Sequence, residues 1–303
     1  MENKKVIATL FACLAAVFYA INIPMSKLLL IHITPTFMAS FLYFGAGTGI
    51  GILYLLGRRQ TRRNEENLSR EDFPFTLGMI VLDIAAPILL MIGLTSATSA
   101  NASLLNNFEI VATSLIALIV FKEFISVRLW IAILLITLSS MLLSVEDVSS
   151  FRFSYGSLFV LAAAICWGFE NNFTRKLSTK NTYQIVILKG MFSGLGSFII
   201  ALIRGDRFPQ GLYIVLALVL GFIAYGLSIF LYVKAQRDLG AAKTSAYYAI
   251  APFVGSLLSF AILRESVAEN YLLALFIMLI GSSLVVVDTL VTKHTHIHVK
   301  PAP

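Results

Sequence analysis

Residues 99–123 read SANASLLNNFEIVATSLIALIVFKE, and residues 241–265 read AAKTSAYYAIAPFVGSLLSFAILRE. Each segment begins with mainly small residues, continues as an apolar stretch and ends in a basic residue followed by glutamate. A helix of about 20 residues crosses the ~30 Å hydrocarbon core of a bilayer. Both segments therefore predict membrane-spanning helices, and their similarity predicts a chain built from two related halves.

Eight further apolar stretches lie on either side of these two segments. The ten predicted spans cover about 6–31, 36–56, 73–94, 101–121, 128–145, 153–174, 182–203, 211–233, 244–263 and 271–290. The composition agrees with lipid exposure, since 58% of the residues are hydrophobic and 13% are charged, against about 25% charged in soluble domains. The mean hydropathy is +0.86. These values predict an all-α membrane protein with ten transmembrane helices.

The distribution of basic residues orients the predicted helices. With the N-terminus in the cytoplasm, most of the 23 Lys and Arg residues fall in cytoplasmic segments. Lys189 lies inside a span, and the opposite side keeps only Lys27, Arg152, Arg204, Arg207 and Arg264. An excess of Lys and Arg on the cytoplasmic side is the usual pattern of helical membrane proteins. We expect a multi-pass protein of the cell (cytoplasmic) membrane with both termini in the cytoplasm.

The same pattern excludes other readings of the +7 net charge. The basic residues lie in short separate loops, so they indicate orientation in the membrane and no nucleic-acid partner. Cys13 and Cys166 lie within predicted spans, which argues against a disulfide framework or a metal site. The alternating histidines 294, 296 and 298 are interpreted as part of a solvated tail. No cofactor is expected, and the lipid bilayer is the expected surrounding.

A two-fold repeat runs through the chain at gradually shrinking offsets. At an offset of 148 residues, residues 10–28 align with 158–176. At an offset of 145, glycines of the second span align with those of the seventh, and at an offset of 142 the two segments quoted above align. Five spans per copy is an odd number, so the second copy enters the membrane from the opposite face. We predict a first five-helix repeat over 1–148, an inverted second repeat over 149–292 and a cytoplasmic tail over 293–303.

Two inverted halves around a midplane site are typical of secondary transporters, because they allow inward-open and outward-open states of similar energy. The two quoted segments also resemble the fourth spans of the EamA family of the drug/metabolite transporter superfamily, and the resemblance covers about residues 5–290. It implies a carrier of amino acids or other small metabolites, working as an exporter or an importer. The family usually has a proline within both fourth spans; Pro252 fits this pattern, whereas the first copy has Glu109 and Ile110.

Four ionisable residues lie well inside the spans: Asp83, Glu109, Glu170 and Lys189. A charged group at such a depth costs about 2.5–3.5 kcal/mol on insertion scales, so each is a candidate functional residue. Neighbouring polar and aromatic residues at helical spacing extend the predicted cavity between spans 1, 3, 4, 6, 8 and 9. The predicted substrate-binding or cavity residues are Tyr19, Asn22, Asp83, Asn101, Asn106, Glu109, Trp167, Glu170, Tyr225 and Tyr248.

Two residues are candidates for coupling transport to protons, and one for bending a helix. Burial disfavours the charged form of a carboxyl group, so Glu109 or Asp83 could take up and release a proton during the transport cycle. Pro252 is the candidate hinge, because proline removes a backbone hydrogen bond within a helix. The expected partners are therefore a small-molecule substrate and a coupling proton, with the protein acting as a monomer or a homodimer.

Structural explanations compete with these roles. Glu170 could pair with Lys189 or Arg175 as a lock, and Asp83 could hydrogen-bond to neighbouring helices. Glu123 and Glu265 could form local ion pairs at helix ends, or they could pair with the other half as gates. The glycines of spans 2 and 7 favour close helix packing.

The alternatives to an amino acid carrier are of three kinds. Enzyme activity is not expected, since no catalytic motif appears in the sequence. A sugar or nucleotide-sugar carrier of the same superfamily is the second candidate, but phosphates would require several cations facing the cavity. Three acids and one lysine in the span interiors favour zwitterionic, cationic or neutral solutes. A non-transporting receptor or scaffold is the third candidate, and it would not need buried charges.

The predicted inversion can be tested by cysteine labelling. Cysteines introduced at positions 123 and 265 are expected to react with membrane-impermeant reagents from opposite faces, because the two fourth spans run in opposite directions. Labelling of both positions from one face would contradict the inverted repeat.

Overall fold

Helices form nearly all of the regular structure. The structure is a computed structural model that describes residues 2–57, 66–122, 125–147, 152–178, 180–239, 244, 247–265 and 270–295. Histidines 296 and 298, Glu123 and most of the predicted tail lie outside the described residues. The helices are α1 (Glu2–Ala20), α2 (Asn22–Leu29), α3 (Pro35–Gly57), α4 (Phe73–Ser96), α5 (Ser99–Leu105), α6 (Phe108–Phe121), α7 (Val127–Ser144), α8 (Tyr155–Leu177), α9 (Thr182–Ile203), α10 (Gly211–Gly221), α11 (Ser228–Leu239), α12 (Ala251–Leu263) and α13 (Tyr271–Thr295).

Short elements complete the described part of the chain. A 3-10 helix (Arg70–Asp72) leads into α4, and a π-helix (Phe222–Leu227) joins α10 to α11. Strands β1 (Val145–Asp147) and β2 (Arg152–Phe153) form a small antiparallel hairpin between α7 and α8. The fold is thus all-helical apart from this hairpin.

Eight described helical segments are long and apolar enough to cross a membrane. Helix α12 is a shorter apolar helix. Helix α8 has 23 residues, but it is not one of the eight and it carries Glu170 and two basic residues in its last turns. The chain is therefore a multi-pass membrane protein, and the number of ten crossings stays a prediction. Large apolar side chains such as Phe192, Leu212 and Phe276 are exposed, as lipid-facing residues are expected to be.

The predicted first, fourth and eighth spans are not continuous α-helices. The first span breaks between α1 and α2 at Ile21, and the eighth contains the π-helix. The fourth span breaks at Asn106 and Asn107, where the amide of Glu109 bonds to the carbonyl of Asn106 at 3.1 Å. Such i→i−3 bonds tighten the chain into a 3-10 turn, which often marks a hinge.

The ninth predicted span has a break at the matching position. Residues 249–250 form a turn, and the amide of Phe253 bonds to the carbonyl of Ile250 at 3.1 Å. Pro252 lies in the first turn of α12, where the missing amide hydrogen costs nothing and the fixed φ suits the helix. Both fourth spans are therefore broken, the first without a proline.

Both broken spans also end in the same way. Lys122 follows α6 with φ 54°, and Arg264 follows α12 with φ 50°. Among the described residues these are the two non-glycine residues with positive φ. A left-handed residue ends many helices but is usually glycine or asparagine, so a shared basic residue in this conformation supports the sequence repeat.

The main helix contacts lie between the two sequence halves. The packed pairs are α4 with α8, α3 with α9, α7 with α13, α1 with α11, α6 with α8, α1 with α12 and α5 with α12. Spans of equal rank therefore meet each other (second with seventh, fourth with ninth, fifth with tenth). The other pairs correspond through the repeat: the third span packs on the sixth as the eighth packs on the first, and the fourth packs on the sixth as the ninth packs on the first. The packing therefore follows the repeat.

Loop contacts join segments that the sequence places on one side of the membrane. On the predicted cytoplasmic side, Lys180 pairs with Glu66 at 2.9 Å, and Ser126 donates to Asp288 at 2.5 Å. The hydrogen bond with Glu66 raises the pKa of Lys180. On the opposite side, Thr36 donates to Asp206. These contacts agree with the alternating direction of successive spans.

Helices α3 and α9 approach closely because glycines face each other. A methyl group on Gly190 would lie 2.3 Å from the backbone nitrogen of Gly47. By contrast, nothing lies within 4 Å of the corresponding position on Gly51. The predicted packing role of the second-span glycines therefore applies to Gly47 and not to Gly51.

This difference can be measured. Gly190→Ala is expected to lower the free energy of unfolding of the detergent-purified protein by about 1–3 kcal/mol, because the two backbones must separate. Gly51→Ala is the matched control and is expected to be neutral or slightly stabilising, since alanine favours helices by about 0.5–1 kcal/mol over glycine. Equal destabilisation by both would refute the contact.

Candidate functional site

A group of tyrosines lies between α1, α3 and the π-helix. The rings of Tyr19 and Tyr225 are 6.0 Å apart, those of Tyr19 and Tyr248 are 5.8 Å apart, and those of Tyr43 and Tyr225 are 5.1 Å apart. Tyr232 packs on Tyr248 at 5.0 Å. We call these five residues the tyrosine cluster. They bring the broken first, eighth and ninth spans to one place inside the helix bundle.

Amide side chains hold two hydroxyl groups of the tyrosine cluster. Asn22 donates to the hydroxyl of Tyr225 at 3.3 Å, and its own oxygen accepts from Ser26 at 3.0 Å. Asn106 donates to the hydroxyl of Tyr19 at 3.0 Å. The break between α5 and α6 thereby contacts the first span. Five predicted cavity residues (Tyr19, Asn22, Asn106, Tyr225 and Tyr248) meet here.

A cleft opens beside Tyr19 and Asn106. It has a volume of about 10 Å³ and is lined by Tyr19, Ala20, Ile23, Ser103, Asn106, Ala251, Pro252 and Gly255. The lining comes from α1, α2, α5 and α12 together with the break at Asn106, so both broken fourth spans border it. Among the described residues, Asn106 Oδ1 and Ser103 Oγ are buried without a hydrogen-bond partner.

Three predicted ionisable residues form one buried cluster. Lys189 Nζ lies 2.8 Å from Glu170 Oε1 and 3.2 Å from Asp83 Oδ2. The exposed fractions are 0% for Asp83, 3% for Glu170 and 6% for Lys189. Two carboxylates thus share one ammonium group in a medium where unpaired charge is costly. Of the two structural partners predicted for Glu170, Lys189 and Arg175, the structure pairs it with Lys189.

The tyrosine cluster and the ion cluster are connected. Tyr43 donates from its hydroxyl to Asp83 Oδ1 at 2.7 Å, while its ring packs on Tyr225. Asp83 therefore bonds to neighbouring helices, as its structural explanation predicted. A change of charge at Asp83 would be felt by the tyrosine cluster through this single hydrogen bond.

Glu109 lies apart from the ion cluster. It is half-buried in the first turn of α6 and accepts a hydrogen bond from Asn171 of α8. Within the described part of the chain it has no cationic partner within 4 Å. It is close enough to interact electrostatically with Tyr19, Tyr225 and Tyr248. Of the two predicted proton-coupling residues, Asp83 bonds directly to the tyrosine cluster through Tyr43, whereas Glu109 bonds to Asn171.

The two remaining predicted residues lie elsewhere. Asn101 is at the start of α5, where its side chain donates to the carbonyl of Leu143 at 3.4 Å. Trp167 is 6% exposed and belongs to the main hydrophobic core. Neither is among the residues that line the cleft.

Sequence reasoning also missed three residues of the site. Tyr43 lies within the glycine-rich second span and resembled a packing residue, and Ser103 is one small residue among several. Asn171 directly follows Glu170, and a polar residue beside a buried acid was the one available signal for it.

A second polar contact closes the predicted outer end of the bundle. The Glu265 carboxylate accepts from the backbone amides of Ser99 and Ala100, at 2.9 and 3.0 Å. Lys27 donates to the carbonyls of Leu94 and Ala97, the latter at 2.7 Å. An anion thus caps the start of α5 and a cation the end of α4, as the helix dipoles favour. We call Lys27, Glu265 and these four backbone groups the outer clamp.

The contacts of Glu265 fit the pairing, not the function, of one of its two predicted roles. Its carboxylate pairs with the other half of the chain, at the start of α5. The alternative was a local pair with Arg264. The corresponding role of Glu123 lies outside the described residues.

The fold and the site together define a multi-pass membrane protein in which broken helices surround an enclosed polar site. Comparison with known families is consistent with this class. The model of the EamA-like transporter family matches residues 6–145 and again residues 154–287. The chain therefore belongs to the EamA-like transporter family, and it is a membrane transport protein.

Individual relatives agree with this assignment. An uncharacterized transporter of Methanothermobacter thermautotrophicus is 27% identical over 284 residues, which cover 88% of this chain and 82% of the relative. The uncharacterized transporter YyaM of Bacillus subtilis is 21% identical over 261 residues, 82% of this chain and 83% of the relative. A known crystal structure shares the fold with a TM-score of 0.63 at 17% identity, over 97% of this chain and 98% of the other.

Removal of the shared cation tests the ion cluster. Lys189→Met is expected to lower the free energy of unfolding by about 3–5 kcal/mol, because two buried carboxylates lose their partner. Equilibrium unfolding of the detergent-purified protein measures this loss. Lys176→Met, on the exposed side of the same bundle, is the control and should change stability by less than about 1 kcal/mol. Similar losses in both variants would argue against the cluster.

Proposed function

We propose that this protein is a secondary active transporter that works by alternating access. It moves small metabolites, amino acids or related zwitterionic or cationic solutes, across the cytoplasmic membrane, and it catalyses no reaction. One observation carries the proposal: the fourth spans of both halves are broken at matching positions, and residues next to both breaks line one small cleft. Discontinuous helices around a site at the interface of two repeats are a recurring feature of secondary transporters.

The helix directions support ten spans arranged as two inverted halves. Glu265, just beyond the end of α12, contacts the start of α5, so the two fourth spans run in opposite directions. Helices α3 and α9 are likewise antiparallel, because Ser40 pairs with Gly194 while Gly47 faces Gly190. Equivalent spans of opposite direction are what inversion requires. The proposed halves are residues 1–148 and 149–292.

The charges of the site support the proposed class of solute. Glu109 lies beside the tyrosines, and the ion cluster contains two acids and one lysine. An acidic surrounding favours solutes with a positive group and disfavours polyanions. Nucleotide sugars, with their phosphates, therefore fit less well than amino acids.

The outer clamp gives alternating access a physical basis. While Glu265 and Lys27 bind the ends of α5 and α4, the cleft is closed toward the predicted outer side. Opening requires that these charge-assisted bonds break, and the breaks at Asn106–Asn107 and 249–250 let the half-helices turn without bending regular helix. Pro252 is the proposed hinge residue at the second of these breaks.

Counterflow in proteoliposomes tests the proposal. Vesicles that are loaded with an unlabelled solute should accumulate the labelled solute transiently, which a carrier does and a channel or scaffold does not. L-leucine, L-phenylalanine and L-threonine are the first solutes to test, with glucose as a control. Absence of counterflow with every amino acid tested, in protein that remains folded, would overturn the proposed solute class.

Replacing the carboxyl groups of Glu109 and Asp83 with amides tests proton coupling. Glu109→Gln and Asp83→Asn are each expected to reduce the pH dependence of uptake, because the substituted group no longer exchanges a proton. Glu109→Gln is expected to have the larger effect, since Glu109 has no cationic partner in the described part of the chain, whereas Asp83 is paired with Lys189. Uptake by both variants that keeps the pH dependence of the unmodified protein would exclude proton coupling through these residues.

Weakening the outer clamp should open the predicted outer side. Glu265→Gln replaces a carboxylate that accepts two backbone amides. A hydrogen bond to a charged group is worth about 1.5–3 kcal/mol, so the rate at which a cysteine at Ser103 reacts with an impermeant reagent should rise about tenfold or more. The background would lack Cys13 and Cys166, and exposed Glu71→Gln is the control. An unchanged rate, or a loss of folding stability instead, would contradict a gate.

A further inference from the structure

Two unpaired polar atoms indicate which chemical group the cleft receives. Asn106 Oδ1 and Ser103 Oγ lack a hydrogen-bond partner among the described residues, and both line the cleft. Asn106 is 4% exposed and Ser103 is 1% exposed, so bulk water does not satisfy them. A buried acceptor without a donor is unfavourable. The cleft is therefore completed by a ligand group that donates hydrogen bonds.

The orientation of Asn106 follows from its neighbour. Its amide nitrogen donates to the hydroxyl of Tyr19 at 3.0 Å, and this bond leaves the amide oxygen as the atom available to a ligand. The Ser103 hydroxyl lies one helical turn earlier and can accept a second hydrogen bond. Together the two atoms favour a group with at least two N–H or O–H bonds.

The surroundings favour a positively charged donor. The Tyr19 ring borders the cleft, with Tyr248 and Tyr225 at 5.8 and 6.0 Å from it. Aromatic faces attract cations within about 6 Å of the ring centre. None of the residues that line the cleft is basic.

The cleft is also narrow, and a glycine leaves it open. A methyl group on Gly255 would lie 3.1 Å from Ser103 Oγ and 3.2 Å from the carbonyl oxygen of Ala20. The space beside Ser103 therefore exists because residue 255 has no side chain. A group the size of a primary ammonium fits such a space, whereas a bulky quaternary ammonium does not.

We infer that the cleft is the ammonium subsite of the transporter, where Asn106 and Ser103 accept hydrogen bonds from a primary ammonium group and Tyr19 covers it. The assignment deepens the proposed function and depends on it for the identity of the bound molecule as a transported solute. Binding itself can be measured without transport.

Matched probe molecules separate the two ends of an amino acid. Thermal unfolding of the detergent-purified protein would be followed with L-leucine, L-phenylalanine and L-threonine. Their decarboxylated amines are isoamylamine, phenethylamine and 1-amino-2-propanol; their deaminated acids are 4-methylpentanoate, 3-phenylpropionate and 3-hydroxybutanoate. At least one amine should raise the Tm, and its matched acid should not. Stabilisation by the acids instead, or by no amine or amino acid in the panel, would overturn the subsite.

Variants then locate the binding of the most stabilising amine. Asn106→Leu removes the acceptor and should weaken the affinity about tenfold or more. Asn106→Asp keeps an oxygen at this position and should preserve or increase the affinity, which guards against a folding defect in the leucine variant. Ser140→Ala is the control, because Ser140 is also buried with an unpartnered hydroxyl but does not line the cleft.

The outcomes distinguish this inference from the proposed function. Loss of affinity in Asn106→Asp, or an equal loss in Ser140→Ala, would refute the subsite. Counterflow of a solute that has no ammonium group would refute it as well, while leaving the carrier function intact. Amine binding of the expected pattern without any counterflow would instead contradict the transport proposal.

Discussion

Inside a bilayer no water is available to pair with a backbone amide or a charged side chain, so each polar group must find its partner within the protein. The regular spans meet this requirement through their own helical bonds. The breaks at Asn106–Asn107 and at residues 249–250 do not meet it fully; Asn106 and Asn107 are buried, and Ala251, next to the second break, lines the same cleft as Asn106. The site exists because these irregular segments could not face lipid.

The same requirement explains how the buried charges are arranged. Asp83, Glu170 and Lys189 come from α4, α8 and α9, and the single ammonium group is paired with both carboxylates. Tyr43 links this group to the tyrosines through one hydrogen bond. Charge and packing are therefore linked in one network that reaches from the ion cluster to the tyrosine cluster.

Much of the architecture was predictable, because hydrophobicity, the placement of basic residues and the repeat can be recognised directly in the sequence. The break in the fourth span was not predictable, whereas Pro24 lies just after the break in the first span. No proline marks the break at Asn106–Asn107, and the turn there depends on tertiary contacts with Tyr19. The same limit applies within the site: the spacing of Tyr19, Asn22 and Asn106 indicated cavity residues, whereas Tyr43 and Ser103 gained their roles only through residues far away in sequence. Asn101 shows the converse, since a polar residue at the right depth turned toward α7 instead.

The two halves are joined in one chain, and this has an electrostatic consequence. At the repeat offset, Glu109 of the first half corresponds to Ala251 of the second. A transporter assembled from two identical subunits would place both of these carboxylates near the same centre, where they would repel each other and one would tend to stay neutral. A single chain avoids this repulsion, because its two halves can carry different residues at this position. Here the first half has a carboxylate and the second a methyl group, so the charge near the pseudo-symmetry axis is asymmetric.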